Sequence, residues 1–148
     1  MSATPNSSVF LEGEPQGWSV TGVHHVAFAH EDESIFLALH SLLGLSPTHE
    51  LLAPGFIERM VPLSGCSLQL LQSSGDGVVQ SFLKRRGPGL HHVAFRVDDL
   101  DAALRDLNKR GAHLIDEAAR SGGGGTRIAF IHPRQAAGLL VELVDAPS

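Results

Sequence analysis

The pentapeptide His-His-Val-Ala-Phe occurs twice, at His24–Phe28 and His91–Phe95, so four of the chain's nine histidines sit in two matched pairs. The match runs on. Asp32 and Asp99 follow His25 and His92 by seven residues, and Gly44 and Gly111 follow them by 19. Self-similarity at a fixed offset, here 67 residues, marks two copies of one supersecondary unit. A duplicated unit implies a pseudo-twofold axis, so equivalent side chains can face each other across a shared cleft. Two imidazoles brought together in this way predict a metal site.

Strand alternation puts His25, Ala27 and Ala29 on one face and His24, Val26 and Phe28 on the other. His25 and His92 each have an alanine two residues on, which leaves room beside them, while the large residues belong against helices. His24 and His91 are therefore expected to be structural. Leu68-Gln69-Leu70-Leu71 and Val141-Glu142-Leu143-Val144 are the matching final strands of the two halves, each a polar residue among aliphatics. With the aliphatics on the helix side, Gln69 and Glu142 are expected to point inward, where a glutamate is costly unless paired or coordinated. The expected ligand set is thus His25, Gln69, His92 and Glu142. Two imidazoles, a carboxylate and an amide oxygen suit one divalent ion, Co²⁺ first, with Mn²⁺, Ni²⁺ or Zn²⁺ as alternatives. Four protein ligands leave two octahedral positions for substrate or water, which predicts catalysis. His132, just before Pro133, is a further candidate for the mouth of the groove.

Each half reads as β-α-β-β-β. In the first, Ser19–Ala29 is a strand, and Asp32 caps a helix with the apolar stripe Ile35, Phe36, Leu39, Leu42 and Leu43. Gly44 ends that helix, and strands follow near Ser46–Leu52, Gly55–Leu63 and Cys66–Gln72. In the second, Leu90–Val97 leads to a helix capped by Asp99 with Leu100, Ala103, Leu104 and Leu107 on its stripe. Ala112–Asp116, Thr126–His132 and Gly138–Val144 are its three expected strands. A short connector helix should pack Val78, Val79, Phe82 and Leu83. The predicted class is α+β: two βαβββ modules forming curled mixed sheets around a metal-binding groove. Residues 1–18 are expected to be a flexible tail and residues 19–148 one domain. Its modules are placed at about 19–72 and 90–146, joined by a connector at 73–89. Gly122–Gly125 is either a plain linker or a loop whose backbone approaches a ligand.

With 148 residues and 43% apolar content the chain can bury a real core. Its net charge of −5 argues against nucleic acid as a partner. No apolar run approaches the roughly 18–20 residues that span a bilayer, so no membrane association is expected. The start lacks the basic and apolar stretches of a signal peptide, which predicts a cytoplasmic protein. Lys84, Arg85, Arg86, Arg120, Arg127 and Arg134 are either a solvated face or a rim for an anion. Cys66 is the only cysteine.

The chain resembles the vicinal oxygen chelate superfamily and, within it, the methylmalonyl-CoA epimerase family. The stretches that carry the resemblance run from Ser81 through Pro88-Gly89-Leu90-His91-His92-Val93-Ala94-Phe95 to Asp99, then Phe130-Ile131-His132-Pro133 and Gly138–Leu143. The resemblance covers about residues 20–145. It implies the same four ligands, an acyl-CoA substrate, a homodimer, and an acid/base carboxylate on the third strand of the first module, which falls on Glu58. The implied reaction inverts the carbon between a thioester and a carboxylate, with Glu58 and Glu142 exchanging its proton. Two alternatives share the fold: a glyoxalase-type lyase or isomerase, and a module that binds a small molecule without catalysis.

Overall fold

Stretches rich in Val, Phe and His favour extended backbone and form β1 (Val20–His30) and β5 (Gly89–Val97). The computed structural model describes residues 10–146. Hydrogen bonding orders the strands β2-β3-β4-β1-β5-β8-β7-β6. The chain divides into two compact units, His25–His92 and the remainder.

Within His25–His92 lie helix α1 (Ser34–Leu43), strands β2 (His49–Ala53), β3 (Phe56–Leu63) and β4 (Cys66–Ser73), and helix α2 (Val78–Arg86). β4 runs parallel to β1 and antiparallel to β3, and β3 pairs antiparallel with β2. The core gathers Ala27, Ala29 and Leu71 under Val79, Phe82 and Leu83 of α2. Those two alanines share a face with His25, so α2 covers the face that carries the histidine. Val78, expected to pack, is 66% exposed.

Helix α1 begins where the Asp32 carboxylate accepts the Ser34 N–H at 2.9 Å, and Gly44 closes it in the left-handed conformation with φ 67°. Its apolar stripe is not buried: Leu42 is 77% and Leu43 66% exposed. The helix lies instead against a charge, for the Arg59 guanidinium sits over the Phe36 ring at 5.2 Å.

The other unit holds helix α3 (Leu100–Lys109) and strands β6 (Arg120–Ser121), β7 (Arg127–Ile131) and β8 (Val141–Asp145). Asp99 caps α3 by accepting the Ala102 N–H at 2.9 Å. The α3 stripe is buried as expected, with Leu100, Ala103, Leu104 and Leu107 against Val97, Ala129 and Leu143. Of residues 1–18, positions 1–9 lie outside the described residues. Leu11 and Trp18 pack on this core, and the Trp18 indole donates to Asp106 at 2.8 Å. That hydrogen bond, more than any other contact, holds the Asp106 carboxyl below the usual carboxylate range.

The strand expected at Ala112–Asp116 does not form. Ile115 and Asp116 both donate to the Phe130 carbonyl, at 2.9 and 3.1 Å. Two residues against one acceptor make a bulge, which breaks the ladder. Only the Leu114–Ile131 bridge remains there.

Candidate metal centre

β1 and β5 face each other in antiparallel sense. The Asp98 N–H donates to the Ser19 carbonyl at 3.1 Å, and the Thr21 hydroxyl reaches the Arg96 carbonyl at 3.3 Å. The same register, followed along both strands, sets His25 opposite His92. Their Nε2 atoms are 3.0 Å apart, and the residues are 5% and 4% exposed. Two imidazole nitrogens each about 2.1 Å from one ion, at right angles, would themselves be about 3.0 Å apart. The pair therefore has the spacing of adjacent ligands.

Gln69 of β4 pairs with Ala27, two residues on from His25 and on the same face. It is 9% exposed, and its Oε1 finds no hydrogen-bond partner among the described residues. A buried amide oxygen left so is costly, and a bound cation would satisfy it. The residues fit a metal.

Glu58 of β3 is half-buried and pairs with Leu71, as Met60 pairs with Gln69. Glu58 thus shares the face of Gln69. Its neighbour Arg59 takes the opposite face and is 5% exposed. There its guanidinium donates to Glu50 at 2.9 Å and to the Gln72 amide oxygen at 2.7 Å. His30 lies on that face too, buried, with Nδ1 donating to the Asp32 carbonyl. Its Nε2 has no partner among the described residues. Nothing in the sequence marked Arg59 or His30 as buried.

In the other unit Glu142 of β8 is 5% exposed. It pairs with Ala94 of β5 and, across the strand, with Phe130 of β7. His92 precedes Ala94 by two residues and so shares its face. His25, His92 and Glu142 each offer one buried ligand atom.

His91, expected to be structural on the far face, touches the site. Its Nδ1 lies 2.8 Å from the Nδ1 of His92, and its ring packs on Phe82 with centroids 4.8 Å apart. The signal was the doublet itself, because Nδ1 lies near the main chain and adjacent histidines can meet through it.

His132 stacks on His113, centroids 4.2 Å apart and planes 7° from parallel. Loss of solvent lowers the His132 pKa first, helped by the charges of His113 and Arg134. The glycine run closes on itself: the Gly122 N–H donates to the Thr126 carbonyl at 2.9 Å, and the Thr126 hydroxyl to the Gly123 carbonyl at 2.7 Å. Lys84, Arg85, Arg86 and Arg134 are exposed. Arg127 is paired with Asp101 at 2.8 Å, and Arg120 with Asp116 at 3.2 Å.

Residues 24–130 match the family model of the Glyoxalase/Bleomycin resistance protein/Dioxygenase superfamily. The mitochondrial methylmalonyl-CoA epimerase of Mus musculus is 33% identical, over 97% of this chain and 83% of that one. The crystal structure of methylmalonyl-CoA epimerase from Mycobacterium tuberculosis is 40% identical, with TM-score 0.78, over 86% of this chain and 90% of that one. A methylmalonyl-CoA epimerase solved in complex with methylmalonyl-CoA and NH4+ is 30% identical, with TM-score 0.80, over 88% of this chain and 97% of that one.

Proposed function

The chain belongs to the Glyoxalase/Bleomycin resistance protein/Dioxygenase superfamily, and from that premise we propose how its residues carry out the reaction. It has the vicinal oxygen chelate fold and is an isomerase that interconverts the 2R and 2S forms of methylmalonyl-CoA. The observation that carries the assignment of the site is the buried His25–His92 pair, with Nε2 atoms 3.0 Å apart.

In this proposal His25, Gln69, His92 and Glu142 hold one divalent ion, Co²⁺ first. The unpartnered Gln69 oxygen and the register of Glu142 beside Ala94 support the set. When bound, the ion supplies Lewis-acid stabilisation for negative charge on the substrate's thioester and carboxylate oxygens. Glu58 takes the α-proton on one face and returns it in the reverse direction. Glu142 does the same on the other face, with its basicity lowered by ligation. A positioned acid/base of this kind contributes about 10²–10⁴-fold. One turnover leaves Glu58 protonated and Glu142 deprotonated, and proton exchange with solvent restores the starting state.

The exposed cations at the end of α2 are proposed to meet the CoA phosphates. A homodimer is proposed from the apolar exposure around the terminal strand of the sheet order: Leu52 is 74%, Leu42 77% and Leu43 66% exposed. No helix among the described residues is long and apolar enough to cross a membrane.

The test incubates the protein, stripped of metal and then loaded with Co²⁺, with one epimer of methylmalonyl-CoA in D₂O. Formation of the other epimer with deuterium at the α-carbon is expected. Absence of exchange with Co²⁺, Mn²⁺, Ni²⁺ and Zn²⁺ alike would reject the reading.

A further inference from the structure

A contact of 2.8 Å between the Nδ1 atoms of His91 and His92 needs one proton, held by one nitrogen and accepted by the other. If His91 holds it, the proton of neutral His92 sits on Nε2 and points at His25. That nitrogen then has no lone pair for a metal. If His92 holds it, Nε2 carries the lone pair that a metal needs, 3.0 Å from His25 Nε2.

We propose that His91 is a positioning residue: its Nδ1 accepts the His92 Nδ1–H and so keeps His92 in the tautomer that binds metal. The inference rests on the metal site proposed above. A ligand histidine usually depends on such an acceptor for its other ring nitrogen. Ordinarily that acceptor is a carboxylate or a carbonyl; here the preceding residue supplies it. Phe82 makes the arrangement rigid. Itself 8% exposed on α2, it meets the His91 ring at 57° with centroids 4.8 Å apart, which limits rotation of the imidazole. α2 thereby acts on His92 through two aromatic rings, although α2 carries none of the proposed ligands.

The test compares wild type with His91→Phe, which keeps a ring against Phe82 but loses the acceptor, and with His91→Asn, whose amide oxygen can stand where Nδ1 stood. Co²⁺ affinity is read from the visible absorption of the bound ion. His91→Phe should bind about 10–100-fold more weakly, and His91→Asn should recover most of the loss. In the metal-free protein, long-range ¹H–¹⁵N correlations should show His92 protonated on Nδ1 in wild type and on Nε2 in His91→Phe.

Wild-type affinity in His91→Phe would overturn the proposal. So would an Nε2–H on His92 in metal-free wild type, a measurement that needs no variant and survives a folding defect in His91→Phe. Wild type that takes up no Co²⁺ yet shows the Nδ1–H form would reject the metal site and leave the tautomer assignment standing.

Discussion

Glu58 stands directly across from Leu71 in the β3–β4 ladder, on the face that also carries Gln69. A half-buried carboxylate beside a buried amide can move a proton without being a ligand. Glu58→Gln keeps size and hydrogen bonding and removes basicity. The variant should bind Co²⁺ as wild type does and lose at least about 10²-fold in epimerisation. One epimer should still exchange its α-proton with D₂O while the other does not. Wild-type turnover of both would move the acid/base role off Glu58.

His92→Ala takes one imidazole from the proposed set and leaves a ligand group that includes a weak amide oxygen. Elemental analysis should find close to one metal ion per chain in Co²⁺-loaded wild type and little in the variant. Equal loading of the two proteins would place the ion elsewhere.

The cations divide by their partners. Arg127 is committed to Asp101 and reaches Asp145 at 3.8 Å, so Arg127→Gln should leave KM unchanged. Lys84 and Arg85, in the last turn of α2, are exposed. Neutralising them should raise KM with kcat nearly constant, the sign of lost uniform binding. An unchanged KM would mean that the CoA tail lies elsewhere.

Stability should fall on acidification through His30. Burial is the main cause that lowers its pKa, aided by the charge of Arg59 and opposed by the Asp32 carbonyl and carboxylate. Glu33 and Glu50 bind that same Arg59. The native state therefore takes a proton less readily than the unfolded chain does. This contribution is intact above histidine's ordinary pKa of about 6.5 and is lost as pH falls below it toward the depressed native value. Urea midpoints measured from pH 7 to 5 should drop in wild type and drop less in His30→Gln. Parallel slopes would show that another group carries the effect.

Gly122 has no room for a side chain. A Cβ there would lie 2.5 Å from the Thr126 hydroxyl and 2.7 Å from Ile128 Cγ2, whereas one at Gly123 meets nothing within 4 Å. Gly122→Ala should cost about 1–3 kcal/mol as an overpacking change, and Gly123→Ala much less. Thermal unfolding of the two variants measures the difference. Equal midpoints would mean that the loop simply opens.

The meeting of His25 and His92 was legible because a repeat places equivalent residues in equivalent environments. Strand parity correctly grouped His25 with Ala27 and Ala29. It could not reveal that Phe82 and Leu83 of α2 cover those alanines, since alternation says which residues share a face and not what packs there. The α1 stripe shows the same limit from the other side: helical spacing names an apolar face without supplying its partner, and Leu42 stays exposed. Asp116 was read into a strand because its side-chain capture of the Phe130 N–H, at 2.8 Å, depends on a residue 14 positions away. Arg59 and His30 were missed for a similar reason. Their burial arises from tertiary contacts that leave no periodic trace.

The unit His25–His92 begins at one of the paired imidazoles and ends at the other. Joining them closes a loop of 67 residues, at an entropic cost of about 4 kcal/mol on a (3/2)RT ln n scale. Such a closure raises contact order, which slows folding as a whole. Anything that grips both rings acts as a clasp on the whole segment. It stabilises the native state by mass action, and where the clasp is absent from the folding transition state, the stabilisation appears as slower unfolding. Occupancy of one small site would then set how long sixty-odd residues stay folded.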